Sequence, residues 1–415
     1  MTRRAVVPAS AAVALLLAAC SGGDGPARAA FEVVDSAGVP TAVNSADATE
    51  SAPALQLVED LRLGTIDGPE PEQFVGLRQV VLDESGRLYL SDSGARTVRV
   101  FEEDGTFVRT IGRAGEGPGE FNNETLGIAV ARDTLLVLDR FRLHAFDTSG
   151  EFLHSTQQEL AGNEIASLFG AGDGAWFVGR SVLVRPPEEV GGATRDTVRV
   201  WPFDPATGAV GDPVVEVPGE RRWSVPNGRL AGRWLTHAPH AAVGPNGRLY
   251  VTDGTAYAVT VHAADGRVIR RIRADLDPPP VSTDAVEAAV ERTRAYYDSL
   301  GGGFVALADA FEQAQRELGP AEGRPITGRI VVAPEGAFLL ERRDLDPDPH
   351  MRSSGDATTW DHIDREGRVI GRVVLAAGVR LQAFTGTHIV TVERDELGVS
   401  YAVRYAVQTS TRPPV

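Results

Sequence analysis

The stretch Val81-Leu-Asp-Glu-Ser-Gly86-Arg-Leu-Tyr-Leu-Ser-Asp92 returns 161 positions later as Ala242-Val-Gly-Pro-Asn-Gly247-Arg-Leu-Tyr-Val-Thr-Asp253. Looser copies run from Ala129 to Asp139, Leu168 to Gly179, Val331 to Arg342 and Gln382 to Glu393. Each copy alternates apolar residues at period two on both sides of a turn, the signature of a β-hairpin. A second motif follows the first. It runs from Val98 to Ile111 around Gly105 and is echoed around Gly150, Gly208, Gly266 and Gly367.

Together the two motifs make a four-stranded unit that cannot bury its own faces. Six such units, repeated every 40 to 60 residues or so, predict an all-β fold, a six-bladed β-propeller. The sixth unit is short of a strand, with segments only at 381–384, 388–394 and 400–407. Leu55-Gln-Leu-Val-Glu-Asp-Leu-Arg-Leu63, lying ahead of the first complete unit, is the strand expected to close the ring. Closure of this kind removes open sheet edges, which otherwise invite aggregation.

Ile111-Gly-Arg-Ala-Gly-Glu-Gly-Pro-Gly-Glu-Phe121, followed by Gly127-Ile-Ala-Val and a strand ending at Asp139, resembles the linker and blade start of NHL-type six-bladed propellers. Leu63-Gly64 to Glu72-Gln-Phe74 is a weaker copy in the register that ring closure needs. The resemblance covers most of residues 54–408 and implies a fold shared by enzymes, sensors and binding modules, so it specifies no activity.

The N-terminus reads as an export signal. Arg3 and Arg4 precede an apolar run from Ala5 to Ala19, too short to span a bilayer. It ends in Leu17-Ala-Ala-Cys20, which resembles a bacterial lipobox, and Cys20 is the only cysteine. The expected organisation is a signal peptide at 1–19, a tether at 20–53 and the propeller at 54–415. Lipid on Cys20 would hold the protein at a membrane surface, and Ser21 points to the outer membrane, facing the periplasm. Residues 21–53 are rich in Gly, Ala, Ser and Asp, as suits a flexible linker. One island, Phe31 to Pro40, has strand character and is expected against the propeller's rim.

The formal charge is −16, or about −18 once Arg3 and Arg4 leave with the signal and 39 basic side chains face 57 acidic ones. Such a balance argues against nucleic-acid binding, which depends on neutralising phosphates. The chain has no lysine, which excludes Schiff-base lysine chemistry.

A break in β character falls between the fourth and fifth units. Ser282-Thr-Asp284 supplies an N-cap, helical spacing continues to Leu300, Gly301-Gly-Gly303 interrupts it, and a second amphipathic stretch runs from Phe304 to Leu318. This predicts a helical hairpin insertion at 282–319. Tyr296, Tyr297 and Phe304 are its candidate partner contacts, unless they dock the hairpin onto the propeller, as amphipathic faces ordinarily do.

Chemistry-bearing candidates are few. Asp92, Asp139 and Asp253 occupy equivalent positions, so their repetition points to turn capping. Asp344, Asp346 and Asp348, with His350, alternate in a way that suits Ca²⁺, although the glycine and glutamate of an EF-hand are missing. His237 and His240 have a spacing that zinc can use, without a third ligand nearby. No nucleophile elbow, phosphate loop or dinucleotide fingerprint is present. The expected function is therefore binding of a protein, peptide or glycan partner in the cell envelope, with no cofactor. The alternatives are a Ca²⁺- or Zn²⁺-dependent hydrolase or lyase working at the channel face, and a structural assembly component.

Overall fold

The computed structural model describes residues 29–122, 127–139, 142–157, 167–171, 174–182, 193–225, 229–232, 238–300, 304–319, 321, 323–344 and 357–409. Six sheets follow one another in chain order as the blades of a propeller. Blade one is a plain antiparallel meander, Leu77–Leu82, Leu88–Asp92, Thr97–Phe101 and Phe107–Ile111. Blade two repeats it from Gly127–Ala131 to Phe152–Gln157. Blade five does so from Thr327–Val332 to Val369–Leu375.

The sequence pattern and the strands agree closely because the same local device recurs in the turns. In Asp83-Glu-Ser-Gly86, the Asp83 carboxylate accepts hydrogen bonds from the Ser85 and Arg87 N–H groups at 2.9 and 3.0 Å. Asp364 does the same for Glu366 and Arg368 at 3.0 and 2.8 Å, and Asp395 for Leu397 and Val399 at 3.0 and 2.8 Å. An aspartate that mimics a backbone acceptor, followed by a glycine free to take positive φ, fixes each turn locally.

Blade six starts with Arg380–Phe384, His388–Arg394 and Ser400–Thr409, and its outermost strand is Leu55–Leu63 from the other end of the chain. The pairing is antiparallel and extends from Ala402↔Leu63 to Thr409↔Leu55. The turn of blade one packs close against this closing strand: a Cβ at Gly105, where φ is +88°, would stand 2.7 Å from Leu61 Cδ1.

The core lies between blades rather than within them. Leu63, Val390, Val392 and Ala402 of blade six meet Leu88, Leu90 and Phe101 of blade one. Tyr89, Val98 and Val100 of blade one meet Ile128, Leu135 and Val137 of blade two. Four further clusters of the same kind complete the circle. A face-to-face contact every sixth of a turn is what a ring of half-buried sheets demands.

Two blades depart from the plan. Blade three adds a fifth strand, Arg229–Gly232, beyond a long ribbon formed by Ala193–Pro202 and Val215–Val225. Blade four, whose inner strands run from His240–Val243 to Val268–Ala274, carries an extra hairpin from the chain's beginning, Phe31–Ser36 and Val39–Asn44. Val39–Asn44 pairs in parallel with Val268–Ala274. Much of the segment expected as a tether is thus ordered structure. The island seen at Phe31 continues to Asn44, Ala42 and Val43 are buried, and Ser45 caps a short helix, α1 (Ala46–Glu50). Blade five holds α1 through Arg372, which donates to the Thr49 carbonyl at 2.9 Å, and Arg342, which donates to Glu50 at 3.0 Å. The site expected to bear lipid, Cys20, lies outside the described residues. So does the signal peptide.

The predicted insertion forms α2 (Thr283–Leu300) and α3 (Phe304–Leu318) between blades four and five. Ala310, Ala314 and Phe311 of α3 pack with Trp223, so the hairpin reaches back to the long ribbon of blade three. No described helix is long and apolar enough to cross a membrane.

Ring closure by side-chain packing generates a stability test. Leu63 is buried at the closing seam, whereas Val58 on the same strand is 45% exposed. Leu63→Ala is expected to cost about 2–5 kcal/mol, and Val58→Ala within about 0.5 kcal/mol, measured as shifts of the urea unfolding midpoint. Equal shifts for the two variants would show that the seam carries no special share of the stability.

Candidate functional site

Alternating strand direction sorts the connections onto two faces. Turns from the first to the second strand and from the third to the fourth share one face, which consists of short turns apart from residues 203–214. Blade-to-blade linkers and connections from second to third strand share the other. That face receives the helical hairpin formed by α2 and α3.

The first strands of all six blades line a channel, which encloses a cavity of about 1320 Å³. Small-molecule sites usually occupy about 300–1,000 Å³, so an extended ligand fits. Its wall is held by side chains that reach from one blade to the backbone of the next. Gln79 of blade one both donates to the Ile128 carbonyl and accepts from the Ile128 N–H, each at 3.0 Å. Gln382 of blade six accepts from the Val80 N–H at 3.3 Å. Arg329 of blade five donates to the Leu381 carbonyl at 3.1 Å, and Arg380 of blade six to the Leu77 carbonyl at 3.3 Å.

Gln79, Arg329 and Arg380 hold corresponding places near the start of their strands, where blades two and four have Gly127 and His240. The arc from blade five through blade six to blade one is consequently basic. The Arg380 guanidinium is held below the ordinary arginine range by burial first, then by the positive charges of Arg394, Arg78 and Arg329. No motif announces this arc in the sequence. Its only signal is that arginine recurs where other blades use glutamine, glycine or histidine.

The equivalent aspartates cap turns. Asp92 accepts from the N–H groups of Val75 and Gly76 at 3.1 and 2.7 Å, Asp139 from Asn122 at 2.8 Å, and Asp253 from Thr255 at 2.9 Å. In blade five the same position holds Arg342, which is fully buried and forms the centre of an ion network. It donates to Asp361 at 3.0 Å, to both oxygens of Asp344 at 2.8 and 2.7 Å, and to Glu50 of α1 at 3.0 Å. Arg372 adds a second contact to Asp361 at 2.8 Å, and the Tyr257 hydroxyl a third at 3.1 Å. Burial opposes the Arg342 charge, but the Asp344 and Asp361 carboxylates outweigh it and leave the group more basic than usual.

Asp344 therefore has both carboxylate oxygens engaged by a buried arginine. Asp346, Asp348 and His350 lie outside the described residues, as does His237. His240 lines the channel. Among the described residues no group of three or more His, Cys, Asp and Glu side chains is placed to hold a metal ion.

On the insertion, Tyr297 stacks on Phe311 of α3 at 5.7 Å between ring centres, and Tyr296 packs edge-on against Tyr297 at 5.4 Å. Tyr297 thus joins the two helices, while Tyr296 is 54% exposed. Phe304 begins α3, and its side chain lies outside the described residues. Arg294 of α2 ties the helices further through Asp309 at 3.0 Å and through Glu312.

A family model described as DUF5128, 6-bladed beta-propeller, matches residues 70–169. Among solved structures, a member of the DUF4221 family from Bacteroides vulgatus is 13% identical, with a TM-score of 0.50, covering 87% of this chain and 100% of its own. A putative exported protein from Bacteroides fragilis is 11% identical, with a TM-score of 0.47, covering 89% of this chain and 99% of its own. Virginiamycin B lyase from Staphylococcus aureus is 7% identical, with a TM-score of 0.38 and coverages of 84% and 99%. No curated protein matches in sequence. The protein is a six-bladed β-propeller, and these likenesses extend to its fold alone.

Two outcomes follow from the buried charges. Removing one member of a buried ion network leaves its partners uncompensated, so Arg342→Met is expected to cost about 3–5 kcal/mol and to raise hydrogen exchange in α1. A loss below about 1 kcal/mol would show that Arg372 alone suffices for Asp361. The second concerns His144, which is buried with neither ring nitrogen hydrogen-bonded among the described residues. Burial holds its imidazole below the usual range, Asp139 pulls the other way, and Arg142 adds to the fall. The unfolded chain then takes up a proton near pH 6.5 that the folded chain refuses, so stability is full above that pH and declines below it. The urea midpoint is expected to drop from pH 7.5 to 5.5, and the drop to narrow in His144→Leu. An identical drop in both chains would remove His144 as a cause.

Proposed function

We propose that this chain is an NHL-type, lipid-anchored propeller of the cell envelope that binds a protein, peptide or glycan partner at its insertion face. One observation carries the binding reading: the helical hairpin of α2 and α3, which breaks the repeat among the described residues, stands on one face with Tyr296 exposed on it, opposite a face built largely of short turns. A repeat fold gains function where it departs from its repeat, and loops on a rigid scaffold are where binding residues concentrate. The location rests on the sequence Leu17-Ala-Ala-Cys20 after an apolar run, whose lipidation would leave the propeller aqueous at the outer membrane, facing the periplasm.

Tyr296 is the exposed aromatic anchor of that face. The test uses the full chain with Cys20→Ser, which should move from the membrane fraction to the soluble fraction, titrated against a panel of envelope peptides and glycans. Binding of a panel member that weakens by about tenfold in Tyr296→Ala, and stays unchanged in Val374→Ala on the outer strand of blade five, is the expected result. Binding indifferent to Tyr296, or absent across the panel, would overturn the reading. The metal-dependent alternative expects stoichiometric Ca²⁺ or Zn²⁺ in the same preparation, purified without chelator. The binding reading expects neither.

A further inference from the structure

We infer that the insertion face is the side this protein turns to its membrane, and that the seam between blades six and one rests on a zwitterionic bilayer surface through Ile66, Val75 and Leu397. The inference rests on the lipid anchor of the reading above and goes beyond it by giving the anchored propeller an orientation.

The first observation is where the chain enters the ring. Val39–Asn44 runs parallel to Val268–Ala274, the fourth strand of blade four, with Asn44 beside Ala274. A fourth strand ends on the face of the blade-to-blade linkers, so Asn44 ends there too. Phe31, which opposes Asn44 across the antiparallel hairpin, therefore begins its strand on that same face. It follows Cys20 by eleven residues, a reach of no more than about 40 Å. Acyl chains on Cys20 thus hold the insertion face closer to the bilayer than the face of short turns.

The second observation is independent of the first. Leu397, Val75 and Ile66, exposed by 82%, 74% and 62%, are the three most exposed large apolar side chains among the described residues. All three stand on connections of the insertion face, Ile66 and Val75 in the linker 64–76 between blades six and one, and Leu397 in the connection 395–399 of blade six. The described connections of the opposite face carry no exposed large apolar side chain. The three share one seam. A Cβ at Gly64 would stand 2.6 Å from the Ser400 carbonyl oxygen, and one at Gly94 of blade one 2.7 Å from Val75 Cγ1. The core of that seam takes Phe74 and Leu77 and leaves Val75 outside.

Three side chains are too few to hold a free protein on lipid. On an anchored one they need only orient it, because the tether supplies the local concentration. Their exposed neighbours Asp67, Glu70 and Glu396 are acidic, which repels anionic headgroups and suits the ammonium of phosphatidylethanolamine. The helical hairpin packs on blade three, across the ring from this seam, so contact here leaves Tyr296 free for a partner held at the same membrane.

The test uses the full chain with its own lipid, reconstituted into vesicles of phosphatidylethanolamine and phosphatidylcholine. A polarity-sensitive fluorophore is attached in turn at Leu397→Cys, Val75→Cys, Ile66→Cys and Glu84→Cys, the last on an exposed short turn of the opposite face. Blue-shifted emission, and quenching by lipid brominated in its acyl chains, are expected at the first three positions and absent at Glu84. Exchanging phosphatidylcholine for phosphatidylglycerol should weaken the quenching, and quenching that grows instead overturns the assignment to zwitterionic lipid. In a chain shown by mass spectrometry to be acylated at Cys20, probes that stay in water on both faces, or are quenched equally on both, overturn the orientation and leave the anchor standing. A chain recovered without acyl groups overturns anchor and orientation together.

Discussion

The antiparallel pairing of Leu55–Leu63 with Ser400–Thr409 is the constraint on which this molecule depends. Without it the ring is an arc with two open ends, one blade short of an outer strand and one inter-blade core short of closing residues. The chain's ends are the least local contact the fold makes, and their joining adds loop-closure entropy that the packing of Leu63, Leu88, Phe101 and Val390 must offset. In return every blade gains two neighbours. Stability is then shared around a circle rather than stacked along a line with frayed caps, as in open repeat arrays.

The same N-terminal segment makes a second, independent attachment before it reaches the closing strand. Its hairpin joins blade four by parallel pairing, Asn44 donates to the Gly367 carbonyl at 2.9 Å and accepts from the Val369 N–H at 3.0 Å in blade five, and Glu50 enters the Arg342 network. A buried arginine among three carboxylates adds little net stability over an apolar replacement of the same shape. What it does add is specificity of placement, since Arg342 must meet α1, blade five and the Tyr257 ring of blade four at once. The segment between hairpin and closing strand is thereby fixed in register.

The propeller was legible in the sequence because each hairpin is locally determined. Period-two alternation and the Asp-x-x-Gly turns specify strands without long-range information, and the count of hairpins gives the blade number. Boundaries failed where composition misleads. Thr41 to Asn44 read as linker because small and polar residues are common in linkers, yet they form a strand paired with blade four, with the Ala42 Cβ 2.7 Å from the place a Cβ at Gly367 of blade five would occupy. The site was far less legible. Gln79, His240, Arg329 and Arg380 lie far apart in sequence and come together only through closure, and spacing carries no trace of a ring. Tyr297 could be identified as interesting but not as an internal packing residue, because its partner Phe311 lies on the other helix.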